Sequence, residues 1–280
     1  MPSVPYSPSN GSRSEPIATP KQKRYQEALL SLVLVIVVAC FALAVWEAVV
    51  WWFELPKALL PTPRQCWKAA VEEREALFWG TLSTGMGAVC GLLSAIVIGC
   101  TLALVFSQSR SIRLALFPYV ILLQTVPIVA IAPLLIIWSG YTFRTVVIVT
   151  VTVCLFPIVQ SVTSGLLTTD PESRDLFRMY GAGRWKRLWR LQVPSSVRNL
   201  MLGTRTSSGL AVIGAIVAEF FVGNGTNYDG LGTLMTGWQA RTETDALIAA
   251  VFASAILGLA IFGVVQLISA TVLSRWTRFD

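Results

Sequence analysis

Six apolar stretches constrain this chain more than any other feature. They run approximately over residues 28–53, 81–106, 114–138, 145–165, 200–222 and 246–273, and each is long enough to cross a hydrocarbon core of about 30 Å as a helix. Backbone N–H and C=O groups find no partner among lipid tails, so such spans are helical. The expected fold is an all-α polytopic membrane protein with six transmembrane helices and both chain ends on one side. Composition agrees. The chain is 54% hydrophobic and 13% charged, about half the roughly 25% charge of a soluble protein, which argues against a water-soluble enzyme. It has no histidine, and its five cysteines form no CxxC pair. A disulfide framework, a Cys/His zinc site and imidazole-based catalysis are therefore not expected.

The formal charge of +7 points to a nucleic acid or to a membrane, and its distribution favours the membrane. Arg13, Lys21, Lys23 and Arg24 precede the first stretch, Arg110 and Arg113 link the second to the third, and seven basic residues lie between Arg174 and Arg198. With Arg275 and Arg278 these outnumber the basic residues on the other side, which are Lys57, Arg64, Lys68, Arg74, Arg144 and Arg241. Positive-inside counting puts both ends in the cytoplasm. Trp46, Trp51, Trp52, Trp79 and Trp138 gather at the outer ends of the first three stretches, as an aromatic belt does. Residues 1–27, rich in Pro, Ser and Gly, read as a disordered cytoplasmic leader. The first stretch has no A-x-A cleavage site and reads as a retained anchor rather than a removable signal. Residues 28–273 read as one six-helix domain containing a cytoplasmic loop at 169–199, and residues 274–280 as a cytoplasmic tail.

Individual stretches carry further signals. Ser83, Gly87, Gly91, Ala95, Gly99 and Ala103 recur every four residues, a small-xxx-small pattern that serves packing within one bundle or a seam between two copies. The third stretch holds Gln124, Thr125, Pro127 and Pro133. Each proline removes a backbone hydrogen bond, so this span is either kinked or broken into a helix that lines a pathway. Two acids, Glu47 and Glu219, lie inside apolar stretches. A carboxylate at mid-membrane costs about 2.5–3.5 kcal/mol, so both are expected at the outer interface or, for Glu219, along the pathway.

The loop at 169–199 is the most informative segment. Asp170 and Pro171 form a helix start, an N-cap followed by proline in the first turn. Leu176, Phe177 and Tyr180 make an apolar face, Gly181-Ala182-Gly183 breaks it, and Trp185, Leu188 and Trp189 resume it, with Arg174, Arg178, Arg184, Lys186, Arg187 and Arg190 on the polar faces. Such a helix-turn-helix either rests on anionic lipid or inserts into a groove on another protein.

At this loop the chain resembles the permease subunits of ATP-binding cassette (ABC) importers, whose cytoplasmic motif is E-A-A, three residues, G, nine residues, I-x-L-P. Asp175-Leu176-Phe177, Gly181 and Leu191-Gln192-Val193-Pro194 occupy its positions with every spacing kept, although both alanines are replaced by bulky residues. Leu60-Pro61-Thr62-Pro63, Pro133–Trp138 and Ala218-Glu219 followed by Gly230-Leu231-Gly232 extend the resemblance to the nitrate, sulfonate, taurine and pyrimidine-precursor branch. Gln124–Ala130 and Ala211–Ala215 are most similar to members taking up thiamine-precursor pyrimidines or riboflavin, with sulfonate or nitrate transport as the close competitor.

The resemblance implies a type I ABC importer permease fold, a bacterial inner-membrane location and a non-catalytic role. It implies that two copies pair around one pathway, that two ATPase subunits carrying ATP and Mg bind the loops, and that an extracytoplasmic solute-binding protein docks outside. The loop residues it marks are Asp175, Leu176, Phe177, Gly181, Arg184, Trp185, Trp189 and Pro194, and the pathway residues are Gln124, Thr125, Pro127 and Glu219. No G-x-x-x-x-G-K-[ST] occurs in the chain, so no phosphate-cradling loop and no bound cofactor are expected. The competing class, a secondary transporter, usually shows inverted repeats and midplane coupling residues, and the chain has no convincing internal repeat.

Overall fold

The computed structural model describes residues 20–223 and 229–276, and every regular element among them is helical. Contacts divide the chain into two compact units, Met1–Leu55 and Pro56–Asp280. The first unit holds α1 (Pro20–Trp52), whose Leu29–Trp52 portion is long and apolar enough to cross a membrane. Helix already begins at Pro20, so the expected disordered leader of 1–27 is corrected over 20–27. The run Lys21-Gln22-Lys23-Arg24 consists of strong helix formers and follows a proline at the position where a missing N–H costs nothing. Residues 1–19 lie outside the described residues, as does the tail beyond Trp276.

The second unit contains α2 (Pro63–Glu72), α3 (Arg74–Gln108), α4 (Arg110–Thr125), α5 (Ile128–Ser139), α6 (Phe143–Leu167), α7 (Pro171–Met179), α8 (Arg184–Arg187), α9 (Val193–Val222), α10 (Leu231–Ala240) and α11 (Thr244–Trp276). α2 starts where Thr62 caps Gln65 N–H, with Gln65 returning the bond to Thr62 N–H, so the Pro61-Thr62-Pro63 signal is a capping box.

The core is built by α3, α6 and α9. Gly87, Gly91, Ala95, Gly99 and Ala103 are all buried on α3. A side chain on Gly91 would collide with Thr150, and a Cβ on Gly99 would stand 2.7 Å from Ile158. The small-residue stripe therefore packs against α6 inside the chain and is not left over as a seam. Small residues also let α6 and α9 approach: a Cβ on Gly203 would lie 3.1 Å from Pro157 O, and one on Gly165 would lie 2.7 Å from Asn199. Ser207 Oγ donates to Cys154 O at 3.2 Å, and Cys154 Sγ donates to Ser207 O at 3.4 Å. Such close backbones are the usual source of helix association where no water drives it.

These pairings fix direction. Residues 91 and 99 meet 150 and 158, so α3 and α6 run parallel, whereas 199, 203 and 207 meet 165, 157 and 154, so α9 runs antiparallel to both. Two parallel helices consecutive in the bundle require the chain between them to return to the starting end. That return is made by α4 and α5, which are bent by 102° at a short break. Ser139 Oγ at the end of α5 lies 2.7 Å from Thr145 Oγ1 at the start of α6, and Arg113 at the start of α4 reaches Phe106 O near the end of α3. The bent pair thus spans from one end to the other and is not a re-entrant hairpin. With α11, the second unit makes five crossings. At one end sits the α7–α8 hairpin. At the other sit α2 and α10, with Lys57 Nζ paired to Asp245 Oδ2 at 2.8 Å.

Candidate functional site

The helical hairpin of residues 170–192 gathers most of the site residues expected from sequence. Asp170 Oδ2 accepts from Ser173 N–H at 2.9 Å and from the Ser173 hydroxyl at 2.8 Å. The Ser173 backbone bond, and then the hydroxyl, hold its carboxyl below the ordinary carboxylate range. α7 ends in a Schellman motif: Ala182 N–H donates to Phe177 O and Gly181 N–H to Arg178 O, each at 2.9 Å. Gly181 takes φ +64°, with nothing within 4 Å of a Cβ built there. Backbone conformation alone selects glycine at this position. The expected turn at Gly181 is therefore present in detail.

From Arg184 the chain runs as one helical segment of 39 residues to Val222. Its irregularity is a π turn over Leu188–Gln192, where Val193 N–H bonds Leu188 O five residues back. Pro194 follows directly. A proline ring collides with the carbonyl four residues earlier and supplies no N–H, so the closing proline of the loop motif accounts for the widened turn. Leu188 is 2% exposed and belongs to the main core. This corrects its expected place on the free apolar face.

Trp185 and Trp189 are 71% and 59% exposed, Leu176 is exposed, and the turn adds Met179 and Tyr180, both more than 80% exposed. Phe177 and Pro194 are half-buried, and Asp175, Gly181 and Arg184 are exposed. Met179 drew no notice in the sequence because a lone methionine in a basic loop carries no periodic signal. The arginines anchor the hairpin from below. Arg174 donates to Leu167 O at 3.0 Å and Arg184 to Gln108 O, so each guanidinium satisfies a carbonyl at the end of α6 or α3, where helix carbonyls lack partners. Arg174, Arg178, Arg184 and Arg187 also line a cavity of about 260 Å³. The Asp175–Arg178 pair is 3.6 Å apart and exposed, a geometry that contributes little.

The second candidate region is the break between α4 and α5. Gln124, Thr125 and Pro127 are all exposed there. Val126 N–H closes α4 on Leu122 O at 3.2 Å, Thr125 Oγ1 donates to the same carbonyl at 3.0 Å, and α5 begins after Pro127. Of the two sequence readings, a kink and a break, the structure has the break.

Against known proteins, the family of binding-protein-dependent transport system inner membrane components matches residues 95–278, more than half of the chain. The chain belongs to that family, and it is an ABC importer permease. Among its relatives, a formylaminopyrimidine transport permease protein of Halalkalibacterium halodurans is 30% identical over 79% of this chain and 86% of its own length. A riboflavin transport system permease protein of Chloroflexus aurantiacus is 28% identical over 84% and 86%. A putative aliphatic sulfonates transport permease protein of Bacillus subtilis is 24% identical over 84% of both. The helical architecture with multiple membrane crossings is that of a type I importer permease, an integral membrane transport subunit.

Two charged residues inside the apolar stretches of the permease stand out. Glu219, expected at the outer interface or along the pathway, is fully buried within this chain. Its Oε2 accepts from the Thr84 hydroxyl at 2.8 Å and from Gly232 N–H at 2.9 Å, while Thr84 Oγ1 accepts from Leu231 N–H at 2.8 Å. A side chain at Gly230 would collide with the Glu219 carboxyl. The Ala218-Glu219 and Gly230-Leu231-Gly232 signals are thus two halves of one clasp joining α3, α9 and α10. Arg205 was missed altogether. It lies inside the fifth apolar stretch, so counting basic residues by loop passes over it. It is exposed, and its guanidinium carbon stands 5.4 Å from the centroid of the Phe262 ring. A charge placed at mid-membrane costs about 2.5–3.5 kcal/mol on insertion scales, the signal that could have found it.

Proposed function

We propose that this permease carries a small, acceptor-rich nutrient across the bacterial inner membrane, with a thiamine-precursor pyrimidine or riboflavin as the solute. The relatives named for a formylaminopyrimidine and for riboflavin support this choice. The relative named for aliphatic sulfonates keeps sulfonate-type anions as the second reading. Two copies pair around the route, two ATPase subunits with bound ATP and Mg supply the energy, and an extracytoplasmic binding protein delivers the solute. The hairpin end and both chain ends face the cytoplasm, following the excess of basic residues there. Membrane lipid surrounds the spans, and nucleic acid is not a partner.

The observation that carries the reading is the exposed aromatic hairpin of residues 171–191, fixed from below to the ends of α3 and α6. Asp175, Leu176, Phe177, Gly181, Arg184, Trp185, Trp189 and Pro194 act in ATPase coupling. Buried aromatic anchors dominate interfaces, and bare tryptophans on a rigid hairpin suit a groove on the ATPase. Gln124, Thr125 and Pro127 line part of the route at the α4–α5 break. Glu219, being enclosed, contributes to the route through the position of α10. The test is retention of the ATPase by detergent-solubilised permease. Trp185→Ala should weaken association by about 2–4 kcal/mol, while the double charge reversal Arg178→Glu/Lys186→Glu, which would release a lipid-bound helix, should matter less. Undiminished retention by Trp185→Ala would overturn the docking role.

A further inference from the structure

Arg205 sits at the middle of the bundle. Two residues before it, Gly203 lies under Pro157 and Ile158; two residues after it, Ser207 bonds Cys154. Residues 154–158 are the centre of α6, a helix of 25 residues. A bilayer core of about 30 Å leaves a group at that depth about 15 Å from either headgroup layer, too deep for an arginine stem to carry its charge out, as stems near helix ends do. Arginine cannot escape by losing its proton. Among the described residues no carboxylate pairs with it. Phe262, halfway along α11, holds the guanidinium through its ring face, an arrangement that leaves the N–H donors at the edge of the guanidinium free.

Its neighbours on α9 share this setting. Leu202, Thr206 and Ile213 are exposed and Gly209 is half-buried, positions three, four or seven residues apart that fall on one helix face. Thr206 keeps its hydroxyl on Leu202 O at 3.1 Å, so it is the permanent cation at mid-depth that makes this face unsuited to lipid tails.

We propose that this face of α9 lines the translocation route, and that Arg205 sets a charge filter there. The route then favours solutes bearing hydrogen-bond acceptor oxygens or nitrogens, neutral or anionic, and rejects cations. The inference rests on the permease reading and deepens it by naming the solute class. The guanidinium supplies donors and positive potential where the solute has shed much of its water, and in such surroundings a fixed charge acts more strongly than in bulk solvent.

The experiment uses the full transporter, permease with its ATPase, in proteoliposomes. Cys40, Cys66, Cys90, Cys100 and Cys154 are first replaced, and Thr206→Cys is introduced one residue from the charge. The probes are two small methanethiosulfonates, one carrying a sulfonate and one a trimethylammonium group. With Arg205 present, the anionic probe should react faster relative to the cationic one, and Arg205→Gln should cut that ratio by about tenfold, as loss of one nearby charge does. Arg205→Lys should restore the preference, which separates a charge effect from misfolding. An unchanged ratio in Arg205→Gln would overturn the filter. Failure of both probes to react, in the resting and nucleotide-trapped states alike, would mean that lipid or another protein surface covers this face, and would overturn the route assignment. ATPase retention, measured on the same variants, reports on the permease reading independently.

Discussion

Gly181 is a residue selected by backbone conformation rather than by contacts within the chain. Its φ of +64° lies where side-chain-bearing residues are disfavoured by roughly 1–2 kcal/mol, and the space around it is empty. Gly181→Val should therefore fold, bind the ATPase less productively and lower uptake per ATP hydrolysed, a ratio measurable in proteoliposomes. An unchanged ratio would mean the turn is not part of transmission. The loop glycine was legible in the sequence because a turn needs only local chemistry, and the acid-glycine-proline spacing lies within a single hairpin. Glu219 was not legible. Its burial depends on Thr84, 135 residues away in sequence, and on a backbone wrapped around it by Gly230 and Gly232. Arg205 was hidden for a different reason: an apolar average absorbs one charge, and only depth relative to α6 reveals what that charge means.

Among the elements, the interrupted span is the clearest case of sequence dictating shape. Pro127 ends helix propagation after Thr125, and the flanking apolar runs still form α4 and α5, so one crossing becomes two helices. If the break lines the route, single cysteines at Gln124, Thr125 and Val126 in a cysteine-free background should react with a hydrophilic thiol reagent. Their reactivity should also change when the ATPases are trapped with nucleotide. Uniform protection along all three would reduce the break to a packing detail.

α7 depends on its cap in a pH-dependent way. The Asp170 carboxyl is held below its ordinary value of 3.8 by Ser173. Its contribution to the helix start is therefore fully present above that value and is lost as the pH falls through the lowered one. The protection of the amides of residues 172–174 against hydrogen exchange, taken relative to the intrinsic rate at each pH, should be constant across neutral pH and fall only in acid. Loss of protection already near pH 6 would assign the effect to another group.

At the scale of the whole molecule, six spans were legible from length and apolarity alone, since lipid leaves helices no alternative. The close packing of the second span on the fourth was not, because it depends on which residues of α3 and α6 touch. The permease has no phosphate-binding loop in its sequence, so the purified chain should hydrolyse no ATP and gain that activity only on adding the ATPase. Hydrolysis by the isolated chain, in a preparation free of ATPase by mass spectrometry, would contradict the division of labour. The helix from Arg184 to Val222 has 39 residues, a rod of roughly 58 Å at about 1.5 Å per residue. It begins at the bare tryptophans, passes Arg205 at mid-depth and ends at the Glu219 clasp on α10. No loop interrupts it, only the π turn at Leu188–Gln192, so if the proposed ATPase twists the tryptophan end, the helix should carry that twist, like the turn of a key, to the tumbler at the opposite face.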